Sequence, residues 1–160
     1  MRCVADVKPP RLTGAERETV HTLLQYQRES LVRKASGVDD AAARQAIVGS
    51  GTSVLWLIKH MARAEQMWIL RRFAGRNLSL PDDAVLPDDT LVTAIDTYRR
   101  TWPLVDEVVE AASLSDLCRD VGDESPVNLR WVLVHLLEGT ARHAGHADIL
   151  RELIDGRTGR

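Results

Sequence analysis

A chain of 160 residues with 21 basic and 23 acidic side chains carries a formal charge of −2. That length can bury a core without staples, so a single domain over residues 1–160 is expected; the near-neutral balance offers no electrostatic footprint for nucleic acid or an anionic membrane surface. The two cysteines, Cys3 and Cys118, make neither a disulfide framework nor a metal spacing, which suits a reducing cytosol and predicts a cytoplasmic protein.

The opening MRCVADVKPP has no apolar run of signal-peptide type, and nothing approaches the ~18 apolar residues of a membrane span. Thr13 with Glu16 reads as a capping box, each side chain satisfying an orphan backbone N–H. The helix behind it sets Val20, Leu23, Leu24, Gln27 and Leu31 on one face and closes at Lys34, before Gly37. Asp39 caps a short helix in DDAAARQAI. After the loop VGSGTS, Thr52 or Ser53 starts the second long helix, which runs to Gly75 with Val54, Leu57, Ile58, Met61, Ala64 and Trp68 as its apolar stripe. His60 sits at the edge of that stripe and Glu65 inside it. A carboxylate on a core face needs a partner, because burying it unpaired costs several kcal/mol. The reading without function is a salt bridge to an arginine of a neighbouring helix.

LSLPDDAVLPDD connects to a third helix from about Asp89 to Ala112, which Pro103 should kink by removing a backbone bond. A second long connection leads to the fourth helix, started by Ser125–Pro126 or by Asn128 and ended at Asp155–Gly156. Leu129, Val132, Leu133, Leu136, Ala147, Leu150 and Ile154 repeat there with the helical period. At ~100° per residue His143 falls near the middle of that apolar face and His146 on its shoulder. Four long helices without strands predict an all-α four-helix bundle. The connections before helices three and four exceed the ~2–8 residues usual in bundles, which allows crossovers and leaves loops to cover a site.

Bundles build metal sites from side chains on facing helices. His143 and His146 from the fourth helix and His60 from the second offer three neutral imidazoles, and three ligands with one open position is the catalytic zinc arrangement. A metal there binds a thiol as thiolate or lowers the pKa of a water. The bland alternative is that each histidine is a hydrogen-bonded core residue. His21 and His135 are left on that reading.

LRWVLVHLLEGTARHAGHADILRELIDG resembles the C-terminal signature of the DinB-like superfamily. With PPRLTGAERETVHTLLQYQRESLVRKASG and SVLWLIKHMARAE it is most similar to the actinobacterial branch grouped with mycothiol-dependent enzymes. The resemblance covers nearly the whole chain. It implies a DinB-type bundle with a non-simple connection order, often dimeric. It also implies a divalent metal, zinc or nickel, on one histidine of the second helix and an His-x3-His or Glu-x3-His pair of the fourth, activating a small thiol. By position the ligands are His60 and His143. The earlier member of the pair falls on Gly139, because this chain reads EGTARH where relatives read EEYARH. Glu138 faces away from His143 by ~140°, and His146 is the remaining third ligand. Two functions follow. One is metal-dependent transfer of a mycothiol-type thiol to a small electrophile, with no nucleic-acid or membrane partner and a possible homodimer. The other is a bundle that has lost its metal and binds a small molecule or a protein.

Overall fold

Side-chain chemistry sets most helix ends. The computed structural model describes residues 7–120 and 122–158, so Cys3 lies outside the described residues. They form α1 (Glu16–Ala35), α2 (Asp40–Arg44), α3 (Val54–Glu65) running on as a π-helical segment (Gln66–Phe73), α4 (Leu91–Ala111) and α5 (Leu129–Asp155). Asp39, Ser53, Thr90 and Asn128 each accept a backbone N–H three residues on, filling one orphan donor per helix. The capping box at Thr13 and Glu16 does not form. Ala15 is the N-cap without a side-chain bond, and the Glu16 carboxylate is taken by Arg130 of α5 at 2.5 Å. At the other end of α5, Gly156 adopts φ 71°, the left-handed conformation glycine reaches without steric cost.

Side-chain pairs fix the directions. Arg17 donates to the Val109 carbonyl, and His21 bonds Asp106, so α1 runs antiparallel to α4. Glu16 meets Arg130 and Lys34 meets Asp148, so α1 runs parallel to α5. Lys59 meets Asp89 and Glu65 meets Tyr98, so α3 and α4 are parallel. Of the two long connections, only the one between α3 and α4 is therefore a crossover. The other joins the antiparallel α4 and α5 and carries an isolated bridge between Leu117 and Asn128. No strand occurs among the described residues, and none of their helices is long and apolar enough to cross a membrane.

Two buried clusters stack along the bundle, one around Leu31, Ile58 and Tyr98, the other around Leu24, Ile69 and Leu133. Between them lies a polar layer. Arg28 and Glu65 are both 0% exposed and form a two-pronged pair at 3.0 and 2.6 Å. Tyr98 donates to Glu65 at 3.0 Å, and Arg28 also reaches Asp106 at 2.9 Å. Glu65 is thus the arginine-paired core carboxylate. Burial drives the Tyr98 phenol pKa well up, and Glu65 adds to it. α4 continues through Pro103, whose exposed position puts the ring on the solvent side.

Two positions differ from the periodic pattern. Periodicity puts Trp68 on the core stripe, but Ile69, Leu70 and Phe73 are the buried side chains there and Trp68 packs partly buried against them. A π-helical segment closes i→i+5 bonds, as in the bond from Ala74 N–H to the Ile69 carbonyl; this extra residue per turn moves the buried face on and turns Trp68 to its edge. His143 is half-buried rather than central. The buried row of α5 runs through Leu133, Leu136, Thr140, Ala144, Ala147 and Arg151, and His143 flanks it. Thr140 hides its hydroxyl on the Leu136 carbonyl, while Arg151 donates to the carbonyls of Lys34 and Ser36. Both polar groups are thereby satisfied on a face that periodicity reserves for apolar residues.

Candidate functional site

α3 and α5 run antiparallel, and each offers a row of residues four apart to the other. On α3 the row is Trp56, His60, Ala64; on α5 it is His143, Gly139, His135. The imidazoles of His60 and His143 meet edge to face, ring centres 5.2 Å apart. Trp56 stacks on His60 at 4.5 Å and stands edge-on to His143 at 6.0 Å. The indole thus covers one face of the His60 ring.

His60 Nδ1 lies 3.1 Å from Asp83 Oδ2. A carboxylate only accepts, so Nδ1 carries a proton, and in the neutral form of the ring Nε2 keeps its lone pair. Asp83 belongs to the crossover connection, which is tied to α3 beside it. Lys59 bonds Asp89 and the Ala84 carbonyl, and Arg63 donates to the Pro81 carbonyl at 2.8 Å. In the sequence Asp83 is one aspartate of a proline- and aspartate-rich connection. Its only signal was the PDD run after a histidine-bearing helix, because a contact across 23 residues of chain has no local signature.

Burial depresses the His143 pKa to about 4, with His60, His146 and Arg142 adding charge repulsion. The ring is therefore neutral at physiological pH. Its Nδ1 is buried and has no hydrogen-bond partner among the described residues, a costly state for a ring nitrogen left as it is. A neutral imidazole with an unused nitrogen is what a metal ion takes.

The residues can be tested against an ion. Two imidazoles on one tetrahedral ion, with bonds of about 2.0–2.1 Å, have ring centres about 5 Å apart, and the His60–His143 spacing agrees. The orientation of His60 by a carboxylate is also the usual support of a metal-bound histidine. The pair thus fits as two ligands of a divalent ion. The third position is different. Among the described residues no three His, Cys, Asp or Glu side chains converge as a ligand set. His146 is exposed, its ring 5.6 Å from that of His143. Gly139 offers no donor, and a Cβ built on it meets no atom within 4 Å. That open space lies one helical turn before His143.

His135 and His21 stay outside this group. His135 lies between Trp131, on which it stacks at 4.9 Å, and Trp68, 4.9 Å away edge-on. His21 belongs to the Asp106–Arg28 network at 2.9 Å. A cavity of about 180 Å³ lined by Lys59, Pro81, Asp89, Thr93 and Thr97 lies on the α4 side of the crossover connection and does not include the histidines.

A solved structure described as the conserved protein of locus from Enterococcus faecalis superposes with a TM-score of 0.67 over 91% of this chain and 100% of that one. At 19% identity it shows the fold. No curated protein matches. The family model of mycothiol-S-transferase matches residues 19–156, a span holding α3, α5, the histidines and the loop that orients His60. The chain belongs to the mycothiol-S-transferase family, a DinB-like family.

Proposed function

We propose that this protein transfers the sulfur of a mycothiol-type thiol to a small electrophile at the His60–His143 cleft. The observation that carries the reading is the meeting of these two imidazoles, one held by Asp83 and the other kept neutral by its surroundings. Zinc or nickel, held by His60 and His143 with His146 as third imidazole, would supply the acidity that keeps a bound thiol deprotonated at neutral pH. Asp83 fixes the His60 tautomer so that Nε2 faces the cleft as a lone pair. Trp56 covers the His60 ring and keeps water from that side. In the reaction the thiol proton goes to solvent, the sulfur electron pair forms a carbon–sulfur bond to the electrophile, and the halide of a haloaromatic electrophile leaves with the electrons of its carbon–halogen bond.

The test is turnover of mycothiol with a haloaromatic electrophile, using protein stripped by chelator and then reloaded with zinc or nickel. Turnover that returns with metal and is abolished in His60→Ala and His143→Ala supports the reading. Absence of turnover under every metal condition overturns it. A second reading is favoured by Gly139 and by the lack of a converged ligand triad among the described residues. In it the protein binds the thiol or another small molecule without metal chemistry. Thiol binding that is saturable, unaffected by chelator and not followed by transfer would establish it.

A further inference from the structure

The π-helical segment Gln66–Phe73 is an unusual element, because such segments are rare and concentrate at functional sites. It carries two side chains, Trp68 and Arg72, to the wall of a cavity of about 170 Å³. Trp131 of α5 and the connection from α4 to α5 form the rest of that wall. Arg119 and Asp120 of the connection donate their backbone N–H groups to the Arg72 carbonyl, which ties the wall to the end of the segment. Among the described residues no histidine lines this cavity, so it is separate from the His60–His143 cleft, and thiol transfer plays no part in what it binds.

The cavity already holds a cation of the protein's own. The Arg72 guanidinium lies 4.5 Å over the Trp68 ring and pairs with Glu124 at 2.9 Å. The negative face of an indole attracts a cation, and a carboxylate beside it fixes the position. Trp131 and Asp120 offer the same two partners, and neither is matched to a lysine or arginine among the described residues. The two indoles stand 5.5 Å apart, tilted at 53°. His135 stacks on one face of Trp131, yet the residue is still 45% exposed. The Asp120 carboxylate makes no hydrogen bond or ion pair with a described residue. Burial raises the Cys118 thiol pKa, so that group adds no charge to the wall. Two carboxylates against one guanidinium leave the lining negative.

We infer that this cavity binds a small organic cation, a methylated ammonium, on Trp131 beside Asp120. The charge of such a group is spread over C–H surface that packs on indole. A bare ammonium is strongly hydrated and would have to find acceptors for three donors. A metal ion would need converging oxygens, and of the two carboxylates Glu124 is already held by Arg72. An anion would meet the unpaired charge of Asp120.

The test is titration of the whole protein with choline, followed by calorimetry and by the indole N–H signals in NMR. The control is the neutral isostere of choline with carbon in place of nitrogen. Choline should bind saturably, about fivefold or more tighter than the isostere, and should shift the Trp131 signal. Trp131→Ala, at a half-exposed position, should weaken binding about tenfold. Asp120→Asn, which keeps the backbone bonds of the connection, should weaken it and remove most of its salt dependence. Arg72→Ala should strengthen it about threefold, because it frees Glu124 and the face of Trp68; a merely structural role for these side chains would give no gain. Equal binding of choline and its isostere would reveal an apolar hollow only and overturn the cation site. Absence of choline binding, or binding unchanged in both Trp131→Ala and Asp120→Asn, would overturn it too.

Discussion

Gly139→Glu probes the position one helical turn before His143 at which this chain offers no ligating side chain. The substitution has a steric, a conformational and a chemical part. Sterically it is free, because the new Cβ meets no atom within 4 Å. Conformationally, glycine inside a helix is about 0.8–1.0 kcal/mol less favourable than alanine, and glutamate is close to alanine. Position 139 lies deep within α5, so stability should rise by about 0.5 kcal/mol, or about 1–2 °C in Tm for a chain of this size. Chemically, the carboxylate stands one turn before His143 and adds a negative oxygen ligand beside two neutral imidazoles. An affinity gain of at least tenfold for zinc or nickel, about 1.4 kcal/mol, is expected. The assay is competition against a chelator of known affinity, with Gly139→Ala as control for the conformational part alone. Gly139→Ala should gain the stability and none of the affinity. The gain of Gly139→Glu should vanish when combined with His60→Ala. Equal affinity of wild type, Gly139→Glu and Gly139→Glu/His60→Ala would refute the placement of an ion between α3 and α5. Wild-type binding as tight as that of the Glu variant, and lost in His146→Ala, would show His146 serving as the missing ligand.

Three further outcomes follow from the structure. Arg28→Met should destabilise the protein by about 3–5 kcal/mol because it strands the buried Glu65 carboxylate, whereas Arg28→Met/Glu65→Leu should recover most of that loss in denaturant titration; a double variant as unstable as the single would contradict it. His143 is held neutral down to about pH 4, against an ordinary value of 6.5, so below about pH 6.5 the unfolded chain binds a proton that the folded one refuses. The stability this group contributes to the metal-free protein is thus full above pH 6.5 and declines towards pH 4, by at most about 3 kcal/mol. Imidazole NMR titration checks the cause, and a His143 midpoint near 6.5 would remove it. Asp83→Ala should lower metal affinity about 10–100-fold through loss of His60 orientation while leaving Tm nearly unchanged, since Asp83 is on a partly exposed loop; unchanged affinity would detach Asp83 from the site.

Periodicity and composition determined the four long helices, and Ser53 and Asn128 start two of them as read, because a cap is satisfied by neighbours within three residues; the capping box read at Thr13 and Glu16 fails because Arg130, from another helix, takes the Glu16 carboxylate. The place of Glu65 on a core face, and hence its need for an arginine, followed from the same local geometry. The motif around ARH marked His143, and the helix-two block marked His60. Tertiary structure alone decided the rest. That Arg28 is the partner of Glu65, that Asp83 orients His60 and that Arg151 binds the end of α1 are contacts between distant segments, and no short-range spacing encodes them. The π-helical segment moved Trp68 to the edge of the core, where it stays partly buried, because one extra residue in a turn shifts the phase of every later side chain. Trp68 there meets Trp131 and His135, and His60 meets His143, only because α3 and α5 pack against each other.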